Sequence, residues 1–154
     1  MTITFDTYKP EYAAAFKKLN IAWLEEYFYV EPHDEEVLSN PEKYIISPGG
    51  HILVALADGE VAGVVALMKL GNGEIELTKM AVDQSLRGQK IGQKLIKYCL
   101  EYAKNGKIDS LILYSNRRLE NAIYIYHKFG FVEVPLEDNL PYERADIKMK
   151  LTIN

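Results

Sequence analysis

The sequence predicts an α/β protein: a mixed, mainly antiparallel sheet flanked by helices, in the order β-α-α-β-β-β-α-β-α-β-β. Three observations carry that reading. Apolar residues recur at helical spacing before and after the middle of the chain, glycine-containing turns separate three apolar runs within it, and no Pro/Gly/Ser-rich stretch, repeat or low-complexity run divides it. Residues 1–154 are therefore read as one domain. With 154 residues, 48% of them apolar and 26% charged, the chain is unlike a disordered tail, a collagen repeat or a disulfide scaffold. A domain of that size buries about 70% of the surface its unfolded chain exposes, enough for a core without metal or disulfide staples.

The elements follow in order. Thr2 to Asp6 reads as a strand. After Lys9-Pro10, the residues Tyr12, Phe16, Leu19, Trp23 and Tyr27 mark a helix, and Pro32 to Leu38 a shorter one that ends before Pro41. His51 to Ala57 and Val61 to Lys69 flank the hairpin signal Asp58-Gly59-Glu60, and Gly71-Asn72-Gly73 turns the chain into a third run, Glu74 to Val82, which makes an antiparallel meander. Beyond Arg87-Gly88 a helical face of Ile91, Leu95, Tyr98, Cys99 and Tyr102 runs to a stop at Asn105-Gly106. Leu111 to Tyr114 reads as a strand, Leu119 to Lys128 as a helix closed by Gly130, and Phe131 to Val134 and Arg144 to Leu151 as the last strands.

Several function classes fall away. Cys99 is the sole cysteine, so no intramolecular disulfide forms, and it reads as a small buried hydrophobe. His33, His51 and His127 have no zinc-site spacing, so no metal is expected. The start lacks the basic and apolar regions of a signal peptide, and no run approaches the roughly 20 apolar residues of a membrane span. The expectation is a cytoplasmic protein that engages no membrane. The net charge of −4 speaks against a general nucleic-acid binder. Charge is nonetheless uneven: residues 1–84 carry −8 and residues 85–128 carry +6, a basic segment suited to an anion beside an acidic portion suited to a cation.

The sharpest local feature is the strand Leu77 to Val82 running through a short turn into Arg87-Gly88-Gln89-Lys90-Ile91-Gly92 at a helix start. Unpaired amides and the helix dipole make such a start a phosphate site, Gly88 and Gly92 allow close approach, and Arg87 and Lys90 add charge. Neither a Walker A loop nor G-x-G-x-x-G occurs.

Together with the element order and the later Asn121-Ala122-Ile123-Tyr124-Ile125-Tyr126-His127-Lys128-Phe129-Gly130-Phe131, this segment makes the chain resemble the GNAT superfamily of acetyl-CoA-dependent N-acetyltransferases. The resemblance covers nearly the whole chain and is most specific from Glu76 to Phe131. It implies acetyl-CoA as co-substrate, with the pyrophosphate held by backbone amides of Arg87, Gly88, Gln89, Lys90, Ile91 and Gly92. Lys90 stands where the family usually has a glycine; lying where the helix begins, it is expected to take an ordinary helical φ. The resemblance further implies that the strand ending at Val82 splays from its neighbour, so that backbone at Met80, Ala81 and Val82 receives the pantetheine arm and polarises the thioester carbonyl. Asn121 corresponds to a position that hydrogen-bonds that arm.

Tyr126 matches the tyrosine of the family's aromatic-Tyr-x-x-x-Gly-Phe motif, with Ile125 in place of the usual aromatic or leucine. A phenol there donates to the sulfur of the leaving thiolate. Glu76, in the strand expected to carry the acetyl group, is the candidate base for the attacking amine, unless Lys79 pairs with it. Tyr27 to Glu36, including Tyr29, His33, Asp34 and Glu35, would form an aromatic and acidic wall for a small cationic amine, with Pro141-Tyr142-Glu143-Arg144 closing the other side. Tyr29, His33 and Tyr142 are the substrate-binding candidates. Arg144, if it faced the cleft, would favour a substrate with a carboxylate. The expected reaction is direct acetyl transfer to a primary amine of a small molecule or peptide; the alternative is a non-catalytic acetyl-CoA-binding module. Many relatives pair as homodimers, and a strand edge near the C terminus is a candidate surface for it.

Overall fold

The middle runs HILVALA and EVAGVVALMK are apolar at nearly every position, and a strand of that kind must be covered on both faces. The computed structural model, which describes residues 1–140 and 142–154 and so leaves the candidate Pro141 outside the description, meets this demand with helices on both sides of one sheet. The elements are β1 (Ile3–Thr7), α1 (Ala13–Tyr27), α2 (Pro32–Ser39), β2 (His51–Ala57), β3 (Glu60–Lys69), β4 (Ile75–Val82), α3 (Ile91–Asn105), β5 (Ser110–Ser115), α4 (Glu120–Lys128), β6 (Val132–Val134) and β7 (Ile147–Thr152). Their order is the expected one. Among the described residues the sheet runs β1-β2-β3-β4-β5-β7-β6, antiparallel throughout except for β4 and β5.

Alternation along the strands builds two cores. Ile52, Val54, Val64 and Ala66 pack with Phe16 and Leu24 of α1 and Val37 and Leu38 of α2. Leu53, Ala55, Val65 and Leu67 pack on the other face with Ile91, Leu95 and Cys99 of α3 and with Phe131. Cys99 is fully buried, which pushes its thiol up to about 12 and makes it inert.

Three short pieces were not expected: a 3₁₀ turn at Pro10–Tyr12 leading into α1, a π-helical turn at Glu42–Ile46, and a 3₁₀ turn at Gln84–Leu86. α3 stops at Gly106 as expected, but the left-handed residue there is Lys107, at φ 59°. α4 closes on Gly130, whose φ of 102° lets its amide bond His127 O and the Phe131 amide bond Tyr126 O, a Schellman ending that fixes the last turn. The last strand begins at Ile147, not Arg144. Asn116 Nδ2 holds the Arg144 carbonyl at 2.7 Å and so keeps that residue in the loop. The C-terminal strand is also interior, and the edge near the C terminus is the three-residue β6.

One irregularity positions everything that follows. β4 pairs with β3 along its length, from Ile75 opposite Lys69 to Val82 opposite Gly63, but with β5 only at Glu76 opposite Ile112. Beyond that bridge the two parallel strands part. A bulge lies in the same stretch: Ala81 faces Val64 and Thr78 faces Ala66, so Lys79 and Met80 share one position on β3, with Lys79 at φ 54°.

Candidate active site

Two cavities meet where β4 and β5 part. The outer one lies between the N-terminal end of α3 and α4; Gly92, Gln93, Asn121 and Ile125 line it. The inner one, of about 170 Å³, is walled by Trp23 and Leu24 of α1, Phe28 just after it, Glu76 to Met80 of β4, Leu113 to Ser115 of β5, and Tyr142 and Arg144. Trp23, Met80, Leu119, Ala122 and Tyr126 line both, so the two form one passage. Helical spacing explains the placement on α4: Ala122 and Tyr126 face the passage one turn apart, Asn121 and Ile125 face its outer part, and Tyr124 is 67% exposed.

At the outer mouth α3 starts with open amides. The first helical bond of the turn runs from Lys94 N to Lys90 O, which leaves Ile91, Gly92 and Gln93 without intrahelical acceptors. Gly92 is bare toward Met80 and Val82, and Gly88 has a φ of 87° that a side chain would strain. Lys90 does not take the ordinary helical φ expected of it: it sits left-handed at φ 60°, ψ 26°. The turn needs the conformation that a glycine supplies freely, and a lysine there carries strain of about 1 kcal/mol. Arg87, expected to face a phosphate, instead gives both its Nη atoms to Glu26 at the end of α1, at 2.8 and 2.5 Å. Gly88, Gln89 and Lys90 are exposed. On β4, Ala81 turns its side chain into the α1 core, while Met80 and Val82 are half-buried beside the unpaired edge.

Tyr126 is packed edge-to-face on Phe131, and burial pushes its phenol up to about 12. Glu76 is 8% exposed at the bridge where the strands part. Burial raises its carboxyl above the ordinary carboxylate range, against the opposing pull of Lys79, a Thr78 hydrogen bond and Arg144. Lys79 does not pair with Glu76. Its ammonium reaches Asp34 Oδ1 at 3.3 Å and donates to the Tyr142 hydroxyl oxygen at 2.5 Å.

Asp34 is the hub that the sequence reading did not foresee. It is fully buried at the third position of α2, where it accepts from the Glu31 amide, from Lys79 and, at 2.8 Å to each oxygen, from Arg144. Arg144 also donates to Glu31 Oε2 at 2.9 Å. Burial alone would raise the Asp34 carboxyl; the Arg144 and Glu31 hydrogen bonds and the Lys79 charge outweigh it and hold it below its ordinary value. Asn20 is the other missed residue, a polar side chain 3% exposed between Phe16 and Leu24 on the buried face of α1, and it lines the inner cavity. A polar residue at helical spacing within an apolar stripe was the signal that could have found it.

Of the predicted substrate residues, only Tyr142 lines the passage. Tyr29 is 55% exposed and donates to Glu143 Oε2, and His33 packs behind the Tyr142 ring at 5.3 Å. The expected acidic wall does not form, because Asp34 is spent on Lys79 and Arg144 and Glu35 pairs with Lys17. Among the described residues no group of three or more His, Cys, Asp or Glu side chains could hold a metal ion, and no helix is long and apolar enough to cross a membrane.

Residues 16–131 match the acetyltransferase (GNAT) family. The chain belongs to that family. It is 34% identical over 101 residues to N-acetylaspartate synthetase of Xenopus tropicalis, a match covering 63% of this chain and 36% of that protein. The chain spans about half the length, or less, of the first curated relatives it matches. Its fold superposes with a TM-score of 0.85 on a GNAT-family acetyltransferase from Staphylococcus aureus Mu50, at 23% identity over 99% of this chain and 100% of that one. With yncA of Salmonella typhimurium, solved with its cofactor acetyl-CoA, the TM-score is 0.73 at 16% identity over 100% of this chain and 95% of that one.

Two outcomes follow for this GNAT chain. Lys90→Gly is expected to stabilise it by up to about 1 kcal/mol in urea titration, and Lys90→Ala, which removes the charge but keeps the strain, is not. Asp34→Asn is expected to destabilise by about 3 kcal/mol near neutral pH, because Arg144 and Lys79 lose their buried partner. The folded-state carboxyl of Asp34 is depressed, so its contribution is present above the ordinary carboxylate pKa and fades as pH falls below about 4; the gap between wild type and variant narrows there.

Proposed function

We propose that the protein transfers the acetyl group of acetyl-CoA directly to a primary amine. The observation that carries this reading is the continuous passage from the open α3 amides, past the unpaired edge of β4, to Tyr126 and Glu76. Each station suits one part of acetyl-CoA. Amides of Ile91, Gly92 and Gln93 at the positive end of α3 suit an anionic pyrophosphate. The mostly apolar outer cavity with Asn121 suits the pantetheine arm, and the free edge at Met80 to Val82 offers backbone donors to it and to the thioester oxygen. Acetyl-CoA supplies an activated acyl group whose leaving sulfur is a thiolate.

The side chains then divide the proton work. Tyr126 keeps its proton at neutral pH and donates it as a hydrogen bond to the sulfur as charge develops there. Glu76 accepts the proton that the attacking amine gives up, directly or through water. Buried Cys99, with its thiol at about 12, supplies no acyl carrier, which favours direct transfer over a covalent enzyme intermediate.

The test is release of coenzyme A from acetyl-CoA across a panel of small amines and peptides. Coenzyme binding with transfer to none of them would make the protein a coenzyme-binding module instead. Tyr126→Phe is expected to lower kcat about 100-fold and leave the Kd for acetyl-CoA within about twofold. Since Glu76 works as its anion and its pKa is raised, kcat/KM should climb with pH through an inflection above the ordinary carboxylate range, and Glu76→Gln should remove that inflection.

A further inference from the structure

We infer that the acceptor is a small amine that also carries a carboxylate, an amino acid with an apolar side chain, bound in the inner cavity with its amine at Glu76 and its carboxylate at Tyr142 and Arg144. This rests on the transferase reading above and narrows it.

The charges are arranged one-sidedly. Arg144 and Lys79 line the inner cavity, while Glu31 and Asp34, which balance them, do not. An occupant therefore meets the cationic side of the cluster. These side chains keep unspent donors. Arg144 spends three of its N–H groups on Glu31 and Asp34 and has five. The Tyr142 oxygen accepts from Lys79, which leaves its own proton to give, and among the described residues Lys79 has two partners for three N–H groups. A carboxylate, with two oxygens and no proton, fits such a set of donors.

Acceptors line the same cavity. Glu76 presents its carboxylate at the strand bridge, and Asn20, with Nδ2 committed to Phe16 O at 3.0 Å, has its carbonyl oxygen to offer to an ammonium or amine. The cavity is also lined by Trp23, Leu24, Phe28 and Leu113, which suits an apolar side chain. A plain alkylamine would satisfy Glu76 and leave the Tyr142 and Arg144 donors facing hydrocarbon, an unfavourable exchange for polar groups that would otherwise be hydrogen-bonded. An amino acid satisfies both ends and adds no net charge.

The experiment pairs leucine, methionine and phenylalanine with their carboxamides and the matching decarboxylated amines. Acetyl transfer from acetyl-CoA is followed by thiol release, and binding to the full chain saturated with coenzyme A is followed by calorimetry. Expected is a kcat/KM at least about 10-fold higher for an acid than for its amide, and a Tyr142→Phe variant whose KM for the acid rises about 10-fold while its KM for the decarboxylated amine, which has no oxygen to accept from the hydroxyl, and its Kd for coenzyme A stay within about twofold. Tyr142→Phe keeps the ring that packs on His33 and the Lys79–Asp34 pair, so a loss confined to the acid reports the hydroxyl and not the fold. Amides or alkylamines used as well as acids, or an acid-to-alkylamine ratio unmoved by Tyr142→Phe, overturn the inference while the transferase reading stands. Acids bound to the coenzyme A complex but never acetylated would overturn the transferase reading and, with it, the assignment of the acid as acceptor; neither binding nor transfer overturns both.

Discussion

The separation of β4 from β5 after one bridge, Glu76 opposite Ile112, is the constraint on which the rest of the molecule depends. Parallel strands side by side would normally share a continuous ladder. Here the shared ladder stops, and the backbone of β4 beyond Glu76 is left with β3 on one side and a cavity on the other. The two cores make this tolerable. Leu77 and Ala81 anchor β4 into opposite faces of the sheet, so the strand stays in place without β5. The bulge at Lys79 and Met80 adds a local twist and turns the Lys79 side chain toward α2, at the cost of a left-handed lysine.

The charge cluster beside that gap ties together segments distant in sequence. Asp34 lies 45 residues from Lys79 and 110 from Arg144, and one carboxylate holds both. Buried ion pairs contribute little net stability relative to an apolar replacement, since desolvation offsets the attraction. What this cluster does is fix geometry: it keeps the loop before β7 against α2 and sets the donors of Tyr142 and Arg144 along the cavity wall. The same cations stand near Glu76 and temper the rise that burial imposes on its carboxyl. Burial thus raises the Glu76 carboxyl while the cluster restrains that rise and leaves donors unspent along the same cavity.

Local pattern made the elements legible. Apolar alternation in β2 to β4, the Ile91-Leu95-Cys99 stripe of α3 and the glycine after α4 each depend on neighbours a few residues away. The motif at residues 87–92 placed the start of α3 for the same reason, while Tyr126 and Asn121 came from the resemblance to the family, and both line the outer cavity. What local pattern does not encode is which long side chains meet. The pairing of Arg87 with Glu26 spans 61 residues, and that of Arg144 with Asp34 spans 110, so Arg87 was read as free and Asp34 as an open acidic wall. Lys90 is the instructive local failure. Its position at a helix start suggested a right-handed residue, whereas the turn out of Gln84–Leu86 delivers the chain to α3 in the left-handed region.

The account stands on the open edge of β4 and the open start of α3 receiving one ligand together. Backbone amide hydrogen exchange of the full chain, with and without acetyl-CoA, tests that most directly. The account predicts exchange slowed about 10-fold or more at Met80 to Val82 and at Ile91 to Gln93 together, with the far end of the sheet around His51 and Tyr102 unchanged. Protection at the α3 start without protection on β4, or protection only around His51 and Tyr102, would contradict it.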